Sequence, residues 1–127
     1  MLLCMLDLGG VLDEFSAAFD AQDAERLRAL FVDDDASLVT SESLILTSRE
    51  HIYVFIDAYA AQPTHFSFGW GVREVHEHGD VGWVIAFGHE TAHRPTGDEI
   101  NAFRLTLVCR RTEQGWRISH LHASSPA

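Results

Sequence analysis

At His65 the hydrophobic period of this chain changes, and that change limits the available folds more than any other feature. Upstream the period is helical. Leu8, Val11, Leu12, Phe15, Ala18 and Phe19 fall at i, i+3, i+4, i+7 spacing and define an amphipathic first helix. Asp23 is placed to cap a second, with Glu25 in its first turn and Leu27, Leu30 and Phe31 on its buried side. The run Asp33-Asp34-Asp35 stops it as a solvated turn. Two short strands, 36–40 and 44–46, follow around Ser41-Glu42-Ser43. Thr47 with Glu50 three residues later reads as a capping box for a third helix. That helix runs to about Ala61 with Ile52, Phe55, Ile56 and Tyr59 inward, and Pro63 closes it.

Downstream the period is two. Phe66, Phe68, Trp70 and Val72 share a face, and the phase slips near Arg73 to Val75, where a bulge after Gly69 and Gly71 is expected. His78-Gly79-Asp80 turns the chain into a long strand, 81–93, with Trp83, Ile85, Phe87 and His89 on one face. Pro95-Thr96-Gly97-Asp98 leads into a terminal hairpin. Its first strand carries Arg104, Thr106 and Val108 on one face; its second carries Trp116, Ile118, His120, His122 and Ser124. Two histidines and a serine stand where a core strand would carry Val or Ile, which predicts a polar-lined cavity. Three helices covering one bent sheet give an α+β fold, and the cone between them is either plugged by side chains or left open as a pocket.

Charge and cysteine usage narrow the partners. The 127 residues make one domain, 1–127, with a net charge of −10, which argues against nucleic acid or an anionic membrane surface. Cys4 and Cys109 read as reduced thiols, and a cytoplasmic location is expected. Met1 to Leu6 lacks the basic start and length of a secretory signal, and no apolar run approaches the roughly 20 residues that span a bilayer.

The segments F-S-A-A-F-D-A-Q-D-A-E-R-L-R-A-L-F at 15–31, the turn at 79–80 followed by Trp83, R-x-T at 104–106 and W-R-I-S-H-L-H-A-S at 116–124 resemble the SnoaL-like group. That group lies in the nuclear transport factor 2-like superfamily, with ketosteroid isomerase and scytalone dehydratase. The resemblance implies a cone-shaped α+β barrel with a cavity for a small organic molecule, and a homodimer formed through the sheet. It also implies that Arg104, Thr106, His120, His122 and Ser124 are the family's strand residues. The isomerase's set of a carboxylate base with a tyrosine and a protonated acid has no match in this chain.

From chemistry, His120 and His122 are the candidate acid–base pair, and Arg104 the candidate partner for an oxyanion or a substrate carboxylate. Trp70, Trp83 and Phe87 are the expected walls, within an aromatic set that includes Phe66 and Phe68; Thr106 and Ser124 add polar contacts. The structural alternative has the histidines hydrogen-bonded across strands in a filled scaffold or oligomerisation domain. His89-Glu90-Thr91-Ala92-His93 matches H-E-x-x-H, the zinc hydrolase pattern, which needs a helix. On a strand its histidines would stand about 13 Å apart. Zinc held by His120, His122 and His89 or Asp98 would lack a fixed third ligand, so no metal and no cofactor is expected. If the domain is an enzyme, the resemblance implies cofactor-free acid–base chemistry of the isomerase, dehydratase or cyclase type.

Overall fold

Six strands form one mixed sheet: β1 (Ser37–Val39), β2 (Ile45–Leu46), β3 (His65–His78), β4 (Val81–Arg94), β5 (Gly97–Thr112) and β6 (Gly115–Ser124). Their order is β2-β1-β6-β5-β4-β3, so β2 and β3 are edges and the sheet is not closed. All neighbours are antiparallel except β1, which runs parallel to β6. The structure, a computed structural model, describes residues 5–40 and 44–125. The expected connection at 41–43 and Cys4 lie outside the described residues.

Three helices cover one face: α1 (Leu8–Asp20), α2 (Ala24–Ala29) and α3 (Arg49–Ala61). Each begins where a side-chain oxygen takes up an otherwise orphaned backbone N–H. Asp7 accepts from the Gly10 N–H at 2.6 Å, Asp23 from Arg26 at 3.1 Å, and Ser48 from His51 at 3.2 Å. The cap of α3 is thus Ser48, one residue beyond the expected Thr47; Glu50 remains in the first turn. The expected inward stripe of α1 is buried at Leu8, Val11, Leu12, Phe15 and Ala18, each larger side chain contributing about 1.5–3 kcal/mol by leaving water. Arg26 on α2 pairs with Glu14 on α1 (2.7 and 3.0 Å), and Arg28 pairs with Asp57 on α3.

Two bulges decide which residues face the helices. In β3, Trp70 pairs with Gly88 but Val72 pairs with Phe87, so Gly71 is an extra residue. In the hairpin, Cys109 pairs with Ile118 while Val108 pairs with His120, so Ser119 is extra in β6. The first slip was expected; the second was not. Because of it Trp116 and Ile118 lie on the helix side, while His120, His122 and Ser124 lie on the other. The expectation that these five share one face is therefore corrected. Val72 likewise leaves the face of Phe66, Phe68 and Trp70.

The core lies between the helices and the inner sheet face, which Val84, Ala86, Phe103, Leu105, Leu107, Cys109, Ile118, Leu121 and Ala123 supply. At Gly88 a Cβ would meet the Gly69 carbonyl oxygen at 1.9 Å, so only glycine lets β3 and β4 close beside the bulge.

Candidate functional site

The inner face and the three helices border a partly open cavity of about 370 Å³. Seven of the eight phenylalanines line it, all but Phe87. Phe15 and Phe19 come from α1, Phe55 from α3, Phe66 and Phe68 from β3 and Phe103 from β5, with Phe31 from the segment after α2. Phe15, Phe19, Phe68 and Phe103 are in ring contact with one another, and Phe66 joins them through Tyr59. Centroids of Phe15 and Phe19 are 4.6 Å apart, Phe15 and Phe68 5.3 Å, Phe68 and Phe103 5.3 Å, within the range of favourable tilted and edge contacts.

Tyr59 of α3 pins this wall. Its hydroxyl donates to the Phe19 carbonyl at 2.7 Å and accepts from the Phe66 N–H at 2.8 Å. Burial pushes the phenol up to about 12, so it keeps its proton and acts as a brace between α1, α3 and β3. Gln22, at a left-handed φ of 49°, donates its amide to the carbonyls of Tyr59 (3.1 Å), Gln62 (2.9 Å) and Thr64 (3.3 Å). That clasp fixes the turn from α3 into β3, where Gln62 and Thr64 border the cavity.

The polar lining is sparse: Thr40, Gln62, Thr64, Glu90 and Arg94, beside the Tyr59 hydroxyl. Among the described lining residues Glu90 is the one carboxylate and Arg94 the one cation. Both stand on β4, and Arg94 also approaches Glu99 at 3.7 Å. A strand explains why the H-E-x-x-H pattern falls apart: Glu90 faces the cavity, while His89 and His93 face the other way. His93 is instead hydrogen-bonded to Ser67 Oγ (2.7 Å) and near Asp98 (3.2 Å). Among the described residues no group of three or more His, Cys, Asp or Glu has an arrangement that could hold a metal ion.

Of the expected aromatic set, Phe66 and Phe68 line this cavity; Trp70, Trp83, Phe87, Arg104, Thr106, His120, His122 and Ser124 do not. His120, His122, Arg104, Thr106, Ser124, Trp83 and Phe87 gather on the outer face. There His120 Nδ1 lies 2.6 Å from Ser37 Oγ, and the two imidazole centroids are 6.5 Å apart. Arg104 Nε donates to Ser124 Oγ at 3.1 Å. Trp83 is stacked by His76 at 5.2 Å and His78 at 5.1 Å, and Phe87 is 47% exposed. Trp70 faces inward but backs the wall, stacked on Phe68 at 5.4 Å with its indole N–H on Ser16 Oγ at 2.9 Å. Burial, and to a lesser extent His122, lowers the pKa of His120. The signal that pointed to the inner face was the small-residue series Gly82, Ala86, Gly88, Ala92, which marks the face of β4 that must accept the helices.

Three helices on one side of an open six-stranded mixed sheet give the nuclear transport factor 2-like class of α+β fold, which similar solved structures share. Within that class the chain belongs to the SnoaL-like domain family, whose sequence pattern matches residues 10–127. No curated protein matches it. Among solved structures, a candidate dehydratase of this class from Streptomyces avermitilis is similar with a TM-score of 0.87 and 21% identity, over 95% of this chain and 94% of that one. A candidate scytalone dehydratase from Novosphingobium aromaticivorans aligns with a TM-score of 0.80 and 13% identity, over 92% and 80%. A ketosteroid isomerase-like protein from Erwinia carotovora atroseptica aligns at 0.77 and 14%, over 94% of each chain. Identities this low show the fold, and this fold serves several chemistries.

Proposed function

We propose that the chain binds a small, mostly apolar, ring-bearing organic molecule in the inner cavity, with the molecule's polar end toward Glu90 and Arg94. The observation that carries this reading is the concentration of seven phenylalanines around about 370 Å³ of space, in the usual range of roughly 300–1,000 Å³ for small-molecule sites. A scaffold domain would fill such a volume, since an empty apolar void forfeits packing energy. Where chemistry follows binding, Glu90 is the proton acceptor, suited to cofactor-free isomerisation, dehydration or cyclisation of an enolisable carbonyl compound. The likeness to a candidate scytalone dehydratase and a ketosteroid isomerase-like protein favours that class. His120 and His122 have no part in this reading, because they face away from the cavity.

Native mass spectrometry of the purified protein, followed by turnover of a panel of enolisable ring ketones, tests it. Glu90→Gln is expected to keep KM within a few-fold and to lower kcat by about 100-fold or more. Equal kcat in both proteins would remove Glu90 from the chemistry.

A second reading concerns the outer sheet face. Val72 (52% exposed), Phe87 (47%) and Ile100 (67%) stand on a face that none of the described helices covers, which favours a homodimer through the sheet. Sedimentation equilibrium at pH 8 tests it, with a two-chain mass expected and a one-chain mass counting against it.

A further inference from the structure

Seven of the eight histidines, all but His51, stand on the outer face of the sheet. Cross-strand registers set them among the apolar groups. One row reads His76, Trp83, Val108, His120, Ser37; the next reads Glu74, Ile85, Thr106, His122, Val39; a third reads Val72, Phe87, Arg104, Ser124. His89 pairs with Ala102, one row on. We propose that this face joins two copies of the chain while its imidazoles are neutral, and that protonation of His89, His120 and His122 releases them. The inference rests on the homodimer reading above and adds a proton-linked control to it.

A second copy fits this face on size and charge. Four strands of about ten residues present roughly 600 Å² in plan, comparable with the ~800 Å² that each partner commits to a stable interface. The chain carries −10, yet the outer strand positions hold two carboxylates, Glu74 and Asp98, against three guanidinia, Arg104, Arg110 and Arg117. Arg110 and Arg117 are answered by Asp34 and, at 3.7 Å, Asp33. Identical copies can therefore meet here without the repulsion their helical faces would impose.

The charged neighbours of each imidazole separate those that would drive release from those that would not. His65 approaches Asp20 (3.4 Å), His76 approaches Glu74 (3.1 Å) and His93 approaches Asp98 (3.2 Å), so a proton on any of them gains a partner. His89, His120 and His122 have no carboxylate within ion-pair distance among the described residues. His78, at the hairpin end, stacks on Trp83. His122 stands in the row beside Arg104, its ring 6.5 Å from that of His120 and inclined 66° to it, so its imidazolium would face like charge in a dry interface. Acid also cuts the overall negative charge, which eases association. The helical carboxylates of two copies stacked sheet to sheet lie at least roughly 30 Å apart, beyond a screening length of about 8 Å at physiological salt. The local cost wins.

The test is sedimentation velocity of the full chain between pH 8 and pH 5.5 at constant ionic strength, read over the range where far-UV circular dichroism is unchanged. The dimer dissociation constant is expected to rise about tenfold or more as pH falls through the imidazole range. His89→Gln/His120→Gln/His122→Gln is expected to dimerise with little pH dependence, and Phe87→Glu to be monomeric at pH 8. A wild-type constant that does not change with pH overturns the proton linkage while leaving the dimer. A monomer at every pH overturns the dimer reading itself, and with it this inference. A dimer that survives Phe87→Glu places association on another face and overturns it too.

Discussion

Single side chains set the character of the cavity more than its size does. Tyr59 shows this: its hydroxyl serves one acceptor and one donor on separate elements, and Tyr59→Phe would take the acceptor from the Phe66 N–H while the Phe19 carbonyl keeps the Gln22 N–H at 3.1 Å. That substitution is expected to cost about 1–3 kcal/mol, read from urea unfolding; an unchanged midpoint would show that water replaces the hydroxyl. Burial also holds the Cys109 thiol up to about 12 against an ordinary 9.0, as it holds the Tyr59 phenol. In the unfolded chain the thiol ionises near 9.0, whereas the folded chain keeps the proton until about 12. This contribution is therefore complete below pH 9 and is lost as pH rises toward 12. A Cys4→Ser protein is expected to leave Cys109 unreactive to a disulfide reagent at pH 8 until denaturant is added, and its stability is expected to fall above pH 9. Prompt native-state labelling would contradict the burial. Glu90 shows what was hidden at this scale. In sequence it belongs to a metal-like pattern, and only the alternation of a strand separates it from its flanking histidines.

Elements were legible where their period is long and unbroken. Helices α1 and α3 could be read because Leu8 to Phe19 and Ile52 to Tyr59 keep one apolar stripe over several turns. The four long strands could be read because alternation and glycine-containing turns agree. What could not be read was the phase of β6. Ser119 is an ordinary strand residue in composition, yet as a bulge it moves His120 and every later side chain to the opposite face. The glycines of β3 and β4 announce the other slip. Gly88→Ala would put a methyl within 1.9 Å of the Gly69 oxygen, so β3 must move away from β4. A loss of about 3 kcal/mol or more is expected by chemical denaturation, with exchange protection falling first in β3. Wild-type stability in this variant would mean that the edge strand adapts freely.

At the scale of the whole molecule, the sheet presents two chemically different surfaces. The concave side carries the aromatic hollow with Glu90 and Arg94; the other side carries the imidazoles, Arg104 and the exposed apolar side chains. The α+β cone itself was legible, since element order and the helix-to-strand change leave few alternatives. Whether the cone is hollow was not legible, because seven phenylalanines can either fill a core or wall a pocket, and the outcome depends on how far the helices stand from the sheet. The most direct test of the hollow is isothermal titration of a bicyclic phenol, 2-naphthol, into wild-type protein and into Ala123→Phe, whose ring would project from β6 into the space. Saturable one-to-one binding by the wild type, weakened at least about tenfold in a variant that melts normally, is the predicted result; equal binding by both, or none by the wild type, would contradict it.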